Sequence, residues 1–125
     1  MAIAFEEPDL VIGSGEDRIG LACKRPRSVR GLMERIKEGA DQISRSRIPG
    51  MIVIGLEAIL HTSDEPEKPT VTYVVGTPDQ LLLLVQPIID EAIVAAHRQI
   101  KAAFEKGVAG ILFCGLATGI ATRAG

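Results

Sequence analysis

The run MIVIGLEAIL, residues 51–60, constrains this chain more than any other stretch. It is almost uninterruptedly apolar, β-branched at its start, and preceded by Pro49 and Gly50. Such a run suits a strand buried on both faces of a sheet. A sheet of that kind needs helices to cover it, which points to a layered α/β fold. The chain has 125 residues, 46% of them hydrophobic. That is enough for one domain with one sizeable core, so residues 1–125 read as a single domain.

The flanking patterns supply the other layers. Residues 9–12 and 19–24 are short apolar stretches joined by GSGED, which predicts a β-hairpin. Pro26 and Ser28 then stop the strand and start a helix over residues 28–45, with Leu32, Ile36, Gly39, Ala40 and Ile43 in one stripe. Residues 70–75 form a further strand candidate. TPDQ, residues 77–80, is a helix start with Thr77 as cap and Gln80 closing a capping box. The following helical region runs to about residue 106, with Ile89, Ile93, Ala96, Ile100 and Phe104 as its buried stripe. Pro87 inside it predicts a kink or two consecutive helices. Residues 108–116 read as a last buried strand. The order β-β-α-β-(β)-α-β predicts a mixed β-sheet flanked by helices. The stretch at 61–70, HTSDEPEKPT, is polar and carries two prolines, so it reads as a surface loop.

Charge is unevenly spread. Residues 24–47 hold eight Lys and Arg against three acids, a net of +5, while the chain carries −2; the remainder is therefore −7. A basic segment on an acidic chain suggests a local anionic partner, or simply a solvated helix face. With only three Phe, one Tyr and no Trp, a base-stacking platform for single strands is poorly supplied. Cys23 and Cys114 each sit in an apolar run, read as buried thiols of a reducing compartment. The N-terminus has no basic-then-apolar signal pattern, and the longest uncharged run, residues 107–122, is short for a membrane span. The expectation is a cytoplasmic protein with no membrane partner.

Two residues of the hairpin carry the chemistry. Pro8-Asp9 opens the first strand and Lys24 closes the second, so an acid and a lysine meet at one end of the sheet. A carboxylate there suits a divalent cation that polarises a phosphate, and a lysine offsets the charge that builds during hydrolysis. Arg25, Arg27 and Ser28 at the following helix start are candidate phosphate contacts, joined by Arg30.

The pattern EPDLVI…IGLACKRPRS…ADQI resembles the PD-(D/E)XK nuclease superfamily, the restriction-endonuclease-like fold. In that family a Pro-Asp on one strand precedes an acid-x-Lys on the next, and a helix with a polar residue facing the site follows. The resemblance implies Asp9 as metal ligand, Lys24 as the motif lysine and Gln42 as the helical polar residue. It also implies Mg²⁺ or Mn²⁺ as cofactor, DNA as partner, and phosphodiester hydrolysis as the activity. The chain departs from the pattern at position 22, where Ala22 replaces the motif acid. Some members supply that acid from the following helix, and on a helical projection Glu38 is better placed than Glu34 to be the second metal ligand. The family core also starts with a helix and a strand ahead of the Pro-Asp strand, where this chain has only MAIAFEE. The fold is then a trimmed version lacking those first elements, or a homodimer partner or second chain completes it; Glu6 and Glu7 are the only acids available there.

The bland readings stand beside these. Pro-Asp is ordinary turn chemistry, and a terminal Lys-Arg pair also serves to blunt a strand edge. His61 reads as part of an exposed loop, His97 stands alone, and the Gly-rich end FCGLATGIATRAG lacks the Lys-Ser/Thr of a phosphate loop. Glu57 late in a buried strand needs a partner or a solvent edge. Two functions follow: a Mg²⁺-dependent deoxyribonuclease, or a non-catalytic nucleic-acid or protein-binding α/β module that uses the basic 24–47 segment.

Overall fold

The computed structural model describes residues 8–62, 71–115 and 117–121. β1 (Leu10–Ile12) and β2 (Ile19–Lys24) form the expected antiparallel hairpin, with Leu10 opposite Leu21. Its turn needs glycine at Gly13. There φ is +93°, and a Cβ would stand 2.4 Å from the Asp17 carbonyl oxygen. Pro26 is fully buried after β2, and Ser28 caps α1 (Val29–Arg45) by accepting the Gly31 N–H at 2.9 Å. The predicted stripe Leu32, Ile36, Gly39, Ala40 and Ile43 is the buried face of α1.

The chain returns as β3 (Gly50–Gly55), parallel to β2. After α2 (Glu57–His61), β4 (Tyr73–Val75), α3 (Pro78–Ala95) and α4 (His97–Glu105), β5 (Gly110–Cys114) pairs parallel on the far side of β3. The main sheet is thus mixed and four-stranded, in the order β1-β2-β3-β5. β6 (Gly119–Ala121) pairs with β4 in a separate two-stranded sheet. α1 rests on β2 and β3 with α4 at its side. Ala22, Ile52 and Ile54 from the sheet meet Leu32, Ile36 and Ile43 from the helix in the main core. Small residues set how closely α1 approaches. A Cβ on Gly50 would fall 2.2 Å from Ile43 Cδ1, and one on Gly39 would fall 3.2 Å from Ile52.

A second, smaller core joins Leu60, Tyr73 and Val85. Here the Tyr73 hydroxyl donates to the Leu60 carbonyl, and burial raises the Tyr73 pKa. His61 staples the same region. Its Nε2 accepts the Thr118 N–H at 3.1 Å, which leaves Nδ1 to donate to the Val71 carbonyl at 3.0 Å.

Several expectations are corrected. The apolar run at 51–60 is not one strand: β3 ends at Gly55 and α2 takes up the rest, so Glu57 lies in the first turn of a helix. α3 passes through Pro87 without ending; the break comes at Ala96, where α3 and α4 meet at 56°. Phe104 is 49% exposed rather than buried. β4 lies outside the main sheet, and β5 is an edge strand. Both cysteines are exposed. His61 is half-buried and bonded at both nitrogens, not a free loop residue. At the start of α3, Thr77 caps the Gln80 N–H at 3.3 Å, but the Gln80 side chain accepts from Gly76 N–H at 2.7 Å, one residue short of a standard capping box. The polar stretch at 61–70 falls mostly outside the described residues. No single described helix is long and apolar enough to cross a membrane; α3 and α4 pass only as a bent pair.

Among the described residues, helices cover the main sheet on one face only. Strand alternation turns Ala22, Ile52 and Ile54 toward α1 and turns Leu21, Cys23, Met51, Val53, Leu112 and Cys114 the other way. Of the described elements, α2 borders one end of that outward face through Glu57 and none lies across it.

Gly50→Ala is expected to overpack the contact with Ile43 and lower stability by about 1–3 kcal/mol. Urea denaturation reads this directly, and an unchanged midpoint would contradict the close approach of α1 to β3.

Candidate functional site

β1 begins only at Leu10, so the β2 backbone beyond Leu21 runs past the end of its antiparallel partner. Asp9 takes over there. Its Oδ2 accepts the Cys23 N–H at 2.7 Å, in place of a ladder bond. Just before it, Pro8 packs over Gly20, where a Cβ would come within 2.6 Å of the proline ring. The bare Gly20 face therefore lets the Pro-Asp segment cross β2, and the carboxylate is carried toward α1.

From α1, Gln42 reaches the other oxygen: its Nε2 donates to Asp9 Oδ1 at 3.3 Å. Gln42 is 7% exposed and the one buried polar side chain among the described residues. The Cys23 N–H holds the Asp9 carboxyl below its ordinary pKa of 3.8. Slight desolvation works against this, while the Gln42 amide and the Lys24 charge add to it. Asp9, Gln42 and Lys24, three of the sequence-predicted residues, thus interact in the folded chain.

Beside them a hollow of about 270 Å³ is lined by Lys24, Glu38, Asp41, Gln42 and Arg45. Glu38 lies one helical turn from Gln42, as the sequence reading expects, but both its oxygens accept from Arg35 Nη1, at 2.9 and 2.7 Å. Asp41 and Arg45 were not singled out in the sequence. Their signal is the spacing i+3 and i+7 from Glu38, which places all three along one side of α1. The Asp41 carboxylate is paired with Lys106, which follows the last residue of α4, and this is the main cause of its lowered pKa.

Ala22, where the resemblance expects an acid, is wholly buried beneath α1 beside Ile36 and Ile52. A carboxylate there would have lost its water without a partner. Among the described residues no three His, Cys, Asp or Glu side chains converge as a metal cluster. Of the nearby carboxylates, Asp9 keeps unused lone pairs on both oxygens, while Glu38 is held by Arg35 and Asp41 by Lys106. One or two carboxylates with water and substrate phosphate is a ligand set Mg²⁺ accepts.

The cation candidates divide. Arg25 does not join the Asp9 group. It lies with Cys23, Val53, Glu57 and Cys114 around a hollow on the outward face, 3.9 Å from Glu57. Arg27, Ser28 and Arg30 stand at the start of α1; Arg30 is about 18 Å from Gln42 along the helix axis. Arg30 is therefore too far along α1 to share one small anion with Gln42. Much of the +5 segment is also paired locally, Arg30 with Glu34 at 3.9 Å and Arg35 with Glu38. Such exposed pairs are weak and give way readily.

A carboxyl whose folded pKa is depressed stabilises the fold fully above its unfolded value and loses that contribution as pH falls through the folded value. Asp9→Asn is therefore expected to be less stable than wild type near neutrality, by about 1 kcal/mol. The gap should close as pH falls from about 5 to about 2. Urea midpoints across that range measure it, and a pH-independent gap would contradict the Asp9–Cys23 bond. No protein-family model, no curated protein and no solved structure matches the chain.

Proposed function

We propose that this chain is a nuclease-like protein of the restriction-endonuclease-like type that engages DNA phosphodiesters beside Asp9. The observation that carries the reading is the meeting of Asp9, Lys24 and Gln42 from the hairpin and the following helix, in the order the PD-(D/E)XK pattern requires. In this reading Asp9 and Glu38 hold Mg²⁺ or Mn²⁺, which would polarise the scissile phosphate and lower the pKa of an attacking water. Lys24 offsets the charge that builds on the phosphate. Gln42 fixes the Asp9 carboxylate and presents its amide toward the same hollow. Arg27, Ser28 and Arg30 hold backbone phosphates farther along the strand.

Two observations favour the second reading, a non-catalytic nucleic-acid-binding or protein-binding module. Ala22 is sealed under α1 and the Glu38 carboxylate is occupied by Arg35. A protein of this kind would bind phosphates through the basic segment and need no metal.

A cleavage assay on plasmid and linear DNA with Mg²⁺ or Mn²⁺ separates the two. The nuclease reading expects cleavage by wild type and a loss of at least about a hundredfold in Asp9→Ala and in Lys24→Ala. Cleavage unchanged in Asp9→Ala would end the assignment. If only binding is seen, the slope of log affinity against log salt is expected to fall by about 2 in the double variant Arg27→Ala, Arg30→Ala. An unchanged slope would remove these residues from the interface.

A further inference from the structure

We propose that the outward face of the main sheet is the interface of a homodimer, in which two copies stack sheet on sheet with β2 running antiparallel to its counterpart. The proposal is independent of any nuclease activity.

The argument starts from the sheet itself. β2, β3 and β5 are parallel, and parallel strands are ordinarily covered on both faces because their side chains are apolar on both. Here α1 covers one face. On the other, every outward position of these strands is apolar, cysteine or glycine, with no charged or amide side chain. Leu10, Ile12 and Leu112 on that face are 53%, 52% and 50% exposed. Four strands make a patch about 19 Å wide with a footprint of about 300 Å². A patch of this size is typical of the largest on a monomer's surface, and such patches are often functional.

Charge points to a second copy. The two ends of the face carry opposite charge. Arg25 and Arg27 stand past the C-terminal end of β2, and Glu16 and Asp17 stand in the turn at its start. Arg18 is turned away onto the Gly15 carbonyl at 2.9 Å. A two-fold axis lying between the sheets and across the strands lays each β2 on its copy in reverse. The basic end of one protomer then faces the acidic turn of the other, twice. Stacked sheets pack about 10 Å apart, which leaves room for the interdigitated Leu21, Met51, Val53 and Leu112. The Arg25–Glu57 pair is too long and too exposed to hold Arg25 back.

Sedimentation equilibrium over a concentration series tests this. Wild type is expected at twice 13.3 kDa. Leu112→Glu should dissociate at least tenfold more readily while keeping the wild-type circular dichroism, because its side chain is already half exposed. Leu83→Glu, on the α3 surface and 74% exposed, should leave the dimer intact. Arg25→Glu should weaken the dimer, and adding Glu16→Arg with Asp17→Arg should restore it. A monomeric wild type, or a Leu112→Glu protein that stays dimeric, would overturn the proposal. A charge reversal without rescue would overturn the antiparallel arrangement.

Discussion

Everything in the candidate site depends on how closely α1 lies against β2 and β3. Gly39, Gly50 and Ala22 keep the surfaces between them shallow, so Ile43 and Ile52 fill the space where larger side chains would stand. That approach is what brings Gln42 within reach of a carboxylate that belongs to another strand. It also explains why position 22 is alanine. The floor beneath the helix is dry, and a charge placed there would have neither water nor a partner. The departure from the nuclease motif and the tight packing of α1 are the same fact seen from two sides.

Asp9 serves two ends at once. As a structural group it caps a β2 amide that β1 ends too early to meet, and it anchors the crossing of Pro8 over Gly20. As a chemical group it is a carboxylate of lowered pKa with a lysine and an amide beside it, and those two side chains line a hollow with further acids and a cation. Structural satisfaction of this kind does not compete with function; a ligand fixed by backbone and amide bonds is already oriented when its substrate arrives.

The legible parts of the fold were those written locally. The hairpin, the Ser28 cap and the α1 stripe follow from turn residues and a 3.6-residue period. The approach of Asp9 to Lys24 was legible from the hairpin, but Gln42 joined them only through motif order, since residues 9 and 42 are far apart in sequence. The division of 51–60 into β3 and α2 was hidden because an apolar run has no period to show where a strand ends. Pro87 does not divide the helix, because a proline on the exposed side leaves its unpaired carbonyl to water and α3 continues through it. The pairing of β4 with β6 and the stapling by His61 join distant segments, and no local pattern announces them. Glu38 was correctly placed on the helix, but its bonding to Arg35 emerges only from the folded geometry.

The central claim is that Asp9 and Gln42 form one site for a cation and a phosphate. Nuclear magnetic resonance of the Cys23 backbone amide and the Gln42 side-chain amide, titrated with a short DNA duplex and then with Mn²⁺, addresses it without relying on turnover. The account predicts shifts of both signals with DNA and selective paramagnetic broadening with Mn²⁺, both abolished in Asp9→Asn. Signals that stay sharp and unmoved while DNA binds elsewhere on the protein would contradict it.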